Sequence, residues 1–255
     1  MKPSQPMLRH VFAGVAALWM LSHGVAAQAQ TVFVETFGSS AARVNNAYVP
    51  AGNFAYKASG VVGDGDYTVM PPQNIAGSTG SAYWTDLPSD HTGDPSGALM
   101  VLNAGPALNE FYVRDFNVQP GHKYRVSAWR YVVNGDMTTL PAPGGPISWR
   151  MEVRDPGTGN ALVQSGDLPS TSTGTWLEST YEFTAPQSVG AQARLALVNR
   201  SPVTSGNDFY IDDISVVDIT PAAVPTLEEW ALMLLSVTLV GLAALGLRRS
   251  GRPGF

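Results

Sequence analysis

The sequence predicts an all-β domain, a β-sandwich or jelly roll, over residues 30–219 of a 255-residue chain. Three observations carry the prediction. Apolar and polar residues alternate with period two in several runs, turn-forming residues separate those runs, and no helical period of useful length interrupts them. The clearest run is Ile147-Ser148-Trp149-Arg150-Met151-Glu152-Val153-Arg154, which alternates without a break. That is the pattern of a half-buried strand. In 123–133, Tyr124, Val126 and Ala128 fall on one face and Arg125, Ser127 and Trp129 on the other. Further strands are expected at 32–37, 98–103, 110–118, 177–183, 193–198 and 209–217. Between them stand Gly, Pro, Asn and Asp, as in Pro141-Ala142-Pro143-Gly144-Gly145-Pro146 and Asp155-Pro156-Gly157. Many short strands with such punctuation fit a two-sheet fold.

Composition narrows the function classes. A body of this size buries a core without covalent staples. Between residues 31 and 220 there are 18 Asp and Glu against 10 Lys and Arg. An acidic surface argues against nucleic acid, which rewards basic patches, and suits solubility or hard cations such as calcium. Cysteine is absent. The fold therefore has no disulfide, and the chemistry has no thiol nucleophile.

The two ends carry an address. Lys2 and Arg9 precede an apolar run from Val11 to Leu21, and a small-residue stretch ends Ala27-Gln28-Ala29. These are the three parts of a secretory signal peptide, residues 1–29, cleaved after Ala29. At the other end, residues 230–247 carry no charge and are followed by Arg248, Arg249 and Arg252. The length suits a single transmembrane helix. The arginines place a basic tail, 248–255, in the cytoplasm and the β body outside that membrane.

Residues 220–229 form a linker, and within it Val224-Pro225-Thr226-Leu227-Glu228-Glu229 leads into Trp230. With the apolar helix and Arg248 and Arg249, this segment resembles the IPTL-type C-terminal sorting tail of Gram-negative bacteria. Val224 stands where isoleucine is usual, and Glu228 where serine is common. The resemblance implies recognition by a membrane sorting or processing enzyme, then display at or release from the cell surface. Pro225 keeps the preceding segment extended, and Trp230 suits the membrane interface.

A second resemblance covers the body. Gly63-Asp64-Gly65-Asp66-Tyr67-Thr68, Asp90-His91-Thr92-Gly93-Asp94, 99–104, Phe111-Tyr112, Gly121-His122-Lys123-Tyr124 and Ser127-Ala128-Trp129 are similar to a jelly-roll module of bacterial surface proteins. Residues 209–216 resemble the last strand of galactose-binding-like domains and carbohydrate-binding modules. The resemblance implies a structural calcium shared by an acid on the first strand, Glu35, and Asp212 or Asp213 on the last. Strand parity puts Asp212 with Tyr210, Ile214 and Val216, where a carboxylate needs a partner. The competing reading caps the strand end with both aspartates in water.

Two further acid pairs, Asp64 with Asp66 and Asp90 with Asp94, fit turns better than metal loops. A sugar platform would draw on Trp129, Tyr131, Trp84 and Trp176, with Arg125 or Arg150 donating to hydroxyls. The competing reading packs these rings under loops. Catalysis has little to draw on: the body holds only His91 and His122, and no HExxH, G-x-S-x-G or P-loop occurs. The expectation is a non-enzymatic, surface-displayed module that binds glycans, matrix or cell-surface components. The rival readings are a carboxylate-dependent glycan hydrolase and a structural envelope protein without a specific ligand.

Overall fold

A computed structural model describes residues 29–44, 54–79, 84–133, 147–170, 174–203, 207–221 and 227–250. The chain divides into two units, Ala29–Thr220 and a second that includes the helix α2 (Leu227–Ser250). Residues 1–28 of the expected signal peptide, 1–29, and the motif residues Val224, Pro225 and Thr226 lie outside the described residues.

The first unit is built from β1 (Gln30–Glu35), β2 (Ala55–Tyr56), β3 (Asp66–Met70), α1 (Ile75–Thr79), β4 (Leu99–Asn103), β5 (Glu110–Asn117), β6 (Lys123–Val132), β7 (Ser148–Arg154), β8 (Ala161–Gln164), β9 (Leu168–Pro169), β10 (Trp176–Thr184), β11 (Gln192–Asn199) and β12 (Asp208–Asp218). Eight of these strands pair in nested order. β4 pairs with β12, β5 with β11, β6 with β10 and β7 with β8, all antiparallel. First with last, second with second-last, is the connectivity of a jelly roll, and it matches the expected fold. One sheet runs β10-β6-β12-β4-β3-β2, and the other β5-β11-β7-β8. β1 lies beside the lower half of β12, residues 214–218, in line with β4 beside residues 208–211.

The core fills the space between the sheets because the alternation is obeyed. Trp149, Met151 and Val153 of β7 and Tyr124, Val126, Ala128 and Val132 of β6 are buried inward. Burying each large apolar side chain contributes about 1.5–3 kcal/mol. Trp149 is fully buried between Phe111 and Arg130.

A second apolar cluster lies on the outer face of the first sheet. Val62, Met70, Ile75, Trp84 and Leu87 pack there against Leu99, Val101, Tyr131, Val133 and Tyr210. The long connection between β3 and β4 thus roofs one half of that face. The other half, lower on β10, β6, β12 and β1, stays open.

The helix α2 exposes Leu232, Met233, Leu234, Leu235, Val237, Leu239, Val240 and Leu242. These positions surround the axis, so no single face is apolar. Ser236 and Thr238 donate their hydroxyls to the carbonyls of Leu232 and Leu234, one turn back. Among the described residues no helix is long and apolar enough to cross a membrane. The expected span of 230–247 runs past residue 242, the last of this helix whose side chain is described.

Candidate functional site

The site begins with a fault in β12. Asp212 pairs with Trp129 and Ser215 with Ser127, so three steps on β12 match two on β6. The extra residue is Asp213, whose φ of 46° lies in the left-handed region. Aspartate is among the few residues that tolerate it. The bulge corrects the expected parity. Tyr210 and Asp212 point outward, whereas Ile214 and Val216 return to the core.

The roof closes over this bulge through one tight loop. The Asp90 carboxylate accepts the Thr92 hydroxyl at 2.7 Å and the Asp94 amide at 2.9 Å. This is an Asx-type turn, and the expected turn reading of Asp90 and Asp94 is the geometry found. Gly97 is required there, since a Cβ would lie 1.8 Å from Asp90 Oδ2. The wound loop presents His91 to β12. Its backbone N–H donates to Asp212 Oδ2 at 3.0 Å, and its Nδ1 lies 2.5 Å from Asp213 Oδ2. The imidazole stacks on Trp129 with centroids 3.9 Å apart and meets Trp176 edge-on at 5.5 Å.

From that point rings continue across the sheet. Trp176 meets Tyr131 at 5.5 Å, Tyr131 stacks on Tyr210 at 5.7 Å, and Tyr210 stacks on Trp84 at 5.8 Å. Tyr210 pins the roof with its hydroxyl, which donates to the Thr85 carbonyl and accepts from the Thr85 amide. Burial pushes the Tyr210 hydroxyl pKa well above its ordinary value. Asp212 is wholly buried, and burial, followed by repulsion from Asp213, pushes its pKa up to about 8. The amides of His91 and Asp213 oppose that shift, and Asp90 adds to it.

The expected ligand residues separate accordingly. Trp129 stands half-buried on the outer face, at the edge of the open half. Trp84 and Tyr131 are only 4% and 7% exposed, so they form the roofed wall and not a platform. Arg125 is on the open half and is held by Glu182. Arg150 belongs to β7, on the far side of the sandwich, where it pairs with Asp167. The open floor next to Trp129 is one that sequence reasoning missed. Ser127 and Ser215 share a hydrogen bond at 2.8 Å, and Thr180 and Val34 flank them in register. Trp176 and His91 complete the wall.

The proposed metal residues do not converge either. Glu35 pairs with the inward-facing Ile214, accepts the Phe37 amide and forms an ion pair with Arg114 of the opposite sheet at 3.0 Å. Asp212 faces the other side of the first sheet. Glu35 and Asp212 of the implied set, Glu35 with Asp212 or Asp213, therefore lie on opposite faces of the first sheet. Among the described residues no three His, Asp or Glu side chains are grouped to hold a metal ion. Asp66 is likewise engaged, by the Gly63 amide and Lys57. A separate cleft of about 560 Å³, lined by Ser39, Gln73, Asn74 and Ser96 among others, contains none of the expected site residues.

Among solved structures the chain is similar to a CBM4 structure, with 15% identity over 49% of this chain and 70% of that one at a TM-score of 0.34. It is similar to the Stig cyclase Fisc from Fischerella sp. TAU, with 13% identity over 76% and 99% at a TM-score of 0.47. It is also similar to the CBM22-1 xylan-binding domain of Paenibacillus barcinonensis Xyn10C, with 10% identity over 79% and 100% at a TM-score of 0.38. Among curated proteins none matches the chain. The tail matches a family model: residues 222–249, with Pro225, Thr226 and Leu227 at their head and Arg248 and Arg249 at their end, carry the IPTL-CTERM motif.

Proposed function

We propose that the chain is an exported, surface-displayed binding module without catalytic activity, and that its ligand is a neutral glycan held on the open outer face of the first sheet. The observation that carries this reading is Trp129. Its indole is fixed by His91 on one side and half-exposed beside a floor of small hydroxyl-bearing residues, Ser127, Ser215 and Thr180. An immobilised aromatic face stacks on the apolar face of a sugar, and hydroxyls at the floor exchange hydrogen bonds with its edge. Glu178, exposed in register with Trp129, and the nearby Asp213 disfavour anionic sugars. The IPTL-CTERM tail supports an exported protein that meets a membrane sorting or processing enzyme. In this reading residues 1–29 are a cleaved signal, 230–247 anchor the chain at least transiently, and the basic end stays cytoplasmic.

The hydrolase reading keeps one supporting observation. Asp212 holds its proton near neutral pH, as a general acid must. It is sealed beneath His91, however, and so cannot reach a glycosidic oxygen without the loop opening. One experiment addresses both. Purified protein and Trp129→Ala are titrated with neutral β-glucan, xylan and mannan oligosaccharides, and the mixtures are then analysed for shortened products. The proposal expects binding by the parent protein, at least a tenfold loss in the variant, ~1.4 kcal/mol, and intact oligosaccharides throughout. Equal affinity in both proteins would reject the site, and shortened products would reject the non-catalytic reading.

A further inference from the structure

Arg130 departs from the pattern that builds the core. It occupies an inward position on β6, in register with Ile211 and Leu177, and only 1% of it is exposed. One Nη donates to the Leu168 carbonyl at 3.3 Å, and the guanidinium lies 5.3 Å from the Trp149 ring centre. Among the described residues its Nε and its second Nη have no hydrogen-bond partner and no carboxylate pairs with it. Burial lowers its pKa to about 9, which still leaves it charged at neutral pH. A buried, unpaired cation costs several kcal/mol, and native proteins rarely leave such donors unsatisfied.

The neighbours sharpen the chemistry. Trp149 Nε1 and Ser170 Oγ are also buried without partners among the described residues. Register brings them close: Trp149 pairs with Leu168, and the Ser170 amide donates to the Ile147 carbonyl two residues before Trp149. All the free groups are donors except the serine hydroxyl, which can be either. The unused edge of Arg130, Nε with one Nη, is the side of the guanidinium that presents two parallel N–H groups to two oxygens of one planar anion.

We infer that the corner between β6, β7 and β9 binds a small, planar, singly charged oxyanion, of the size of bicarbonate, nitrate or formate, on the free edge of Arg130 with Trp149 Nε1 as a further donor. The anion neutralises the cation and satisfies the fork, and so fastens the two sheets to each other at this end. Nothing in this inference depends on the glycan face, which lies on the other side of the first sheet.

The test is thermal unfolding of the full chain in detergent, at fixed ionic strength, with gluconate replaced stepwise by formate, nitrate or chloride. General salt effects are removed by subtracting the same series for Arg130→Met. Beyond saturation, each tenfold rise in formate should raise the parent midpoint by about 3–5 °C relative to the variant. Chloride, with one centre and no fork to match, should raise it less. Trp149→Phe keeps the ring and loses the N–H, so it should need more formate for the same rise. If Arg130→Met does not fold, Arg130→Lys serves, since it keeps the charge and loses the fork. Parent midpoints that track the variant in every anion would overturn the inference. A response that chloride matches in full would overturn its planar, two-oxygen form.

Discussion

Asp212 gives the sharpest test of the site's construction. An acid whose folded pKa lies above its unfolded value holds more protons folded than unfolded between the two. Stability is then full below the unfolded pKa and falls as pH rises through the folded one. For Asp212 the limits are 3.8 and about 8. The slope approaches ~1.4 kcal/mol per pH unit, so about 4 kcal/mol is lost between pH 5 and 8. Asp212→Asn removes the charge and keeps the shape. Both carboxyl oxygens accept amides in the folded protein, from Asp213 and His91, so the new NH₂ faces one donor and costs roughly 1–3 kcal/mol at every pH. The two effects oppose each other, and their balance reverses with pH. Urea unfolding followed by tryptophan fluorescence should find the variant less stable at pH 4 and more stable at pH 9, there by roughly 3 kcal/mol. Taking the difference between the proteins cancels titration common to both. A constant difference from pH 4 to 9 would refute the burial of this carboxyl behind the His91 loop.

Two other expectations concern the ends of the chain. Glu35 accepts from Arg114, so Glu35→Gln should lower stability by about 1–3 kcal/mol equally in calcium and in chelator; a loss confined to calcium would favour a shared cation instead. Replacing Pro225 and Thr226 by alanine should abolish tail processing and surface display in a Gram-negative host, as followed by immunoblotting of cell fractions, and normal processing would leave 230–247 as a plain anchor.

The nested jelly roll was legible because each central strand buries one face. Trp149, Met151 and Val153 announce β7, and Tyr124, Val126 and Ala128 announce β6. The short edge strands, β2, β8 and β9, carry too few residues for a period to register. The bulge at Asp213 was invisible for a different reason. Alternation assumes one residue per step, and an inserted left-handed residue reverses every face beyond it without changing the composition. That single insertion separates Tyr210 and Asp212, which face the His91 loop, from Ile214 and Val216, which face the core. The roof was illegible as well, since its apolar residues, Ile75, Trp84 and Leu87, follow no period. His91 offered only the Asx pattern of its own loop. Its partners Asp212 and Asp213 stand 121 and 122 positions away.

The roof and the bulge also decide how much of the sheet a ligand can use. Had the connection between β3 and β4 been short, Tyr210, Tyr131, Trp176 and Trp129 would form one open strip. Instead Tyr210 and Asp212 hold the roof down by backbone contacts at Thr85 and His91, and the strip is closed up to Trp129. The remaining face runs from Trp129 down β6 to Lys123, about 20 Å at the usual strand rise, and spans four strands, about 14 Å. Its far end is set by charge. Glu182 binds both Lys123 and Arg125, and these cations hold its carboxyl pKa below the usual range. A glycan chain laid along the strip would therefore meet a fixed indole at one end, hydroxyls in the middle and an ion-pair cluster at the other. Because only the indole end is rigidly buttressed, affinity should concentrate there, with the charged end setting which substituents are admitted.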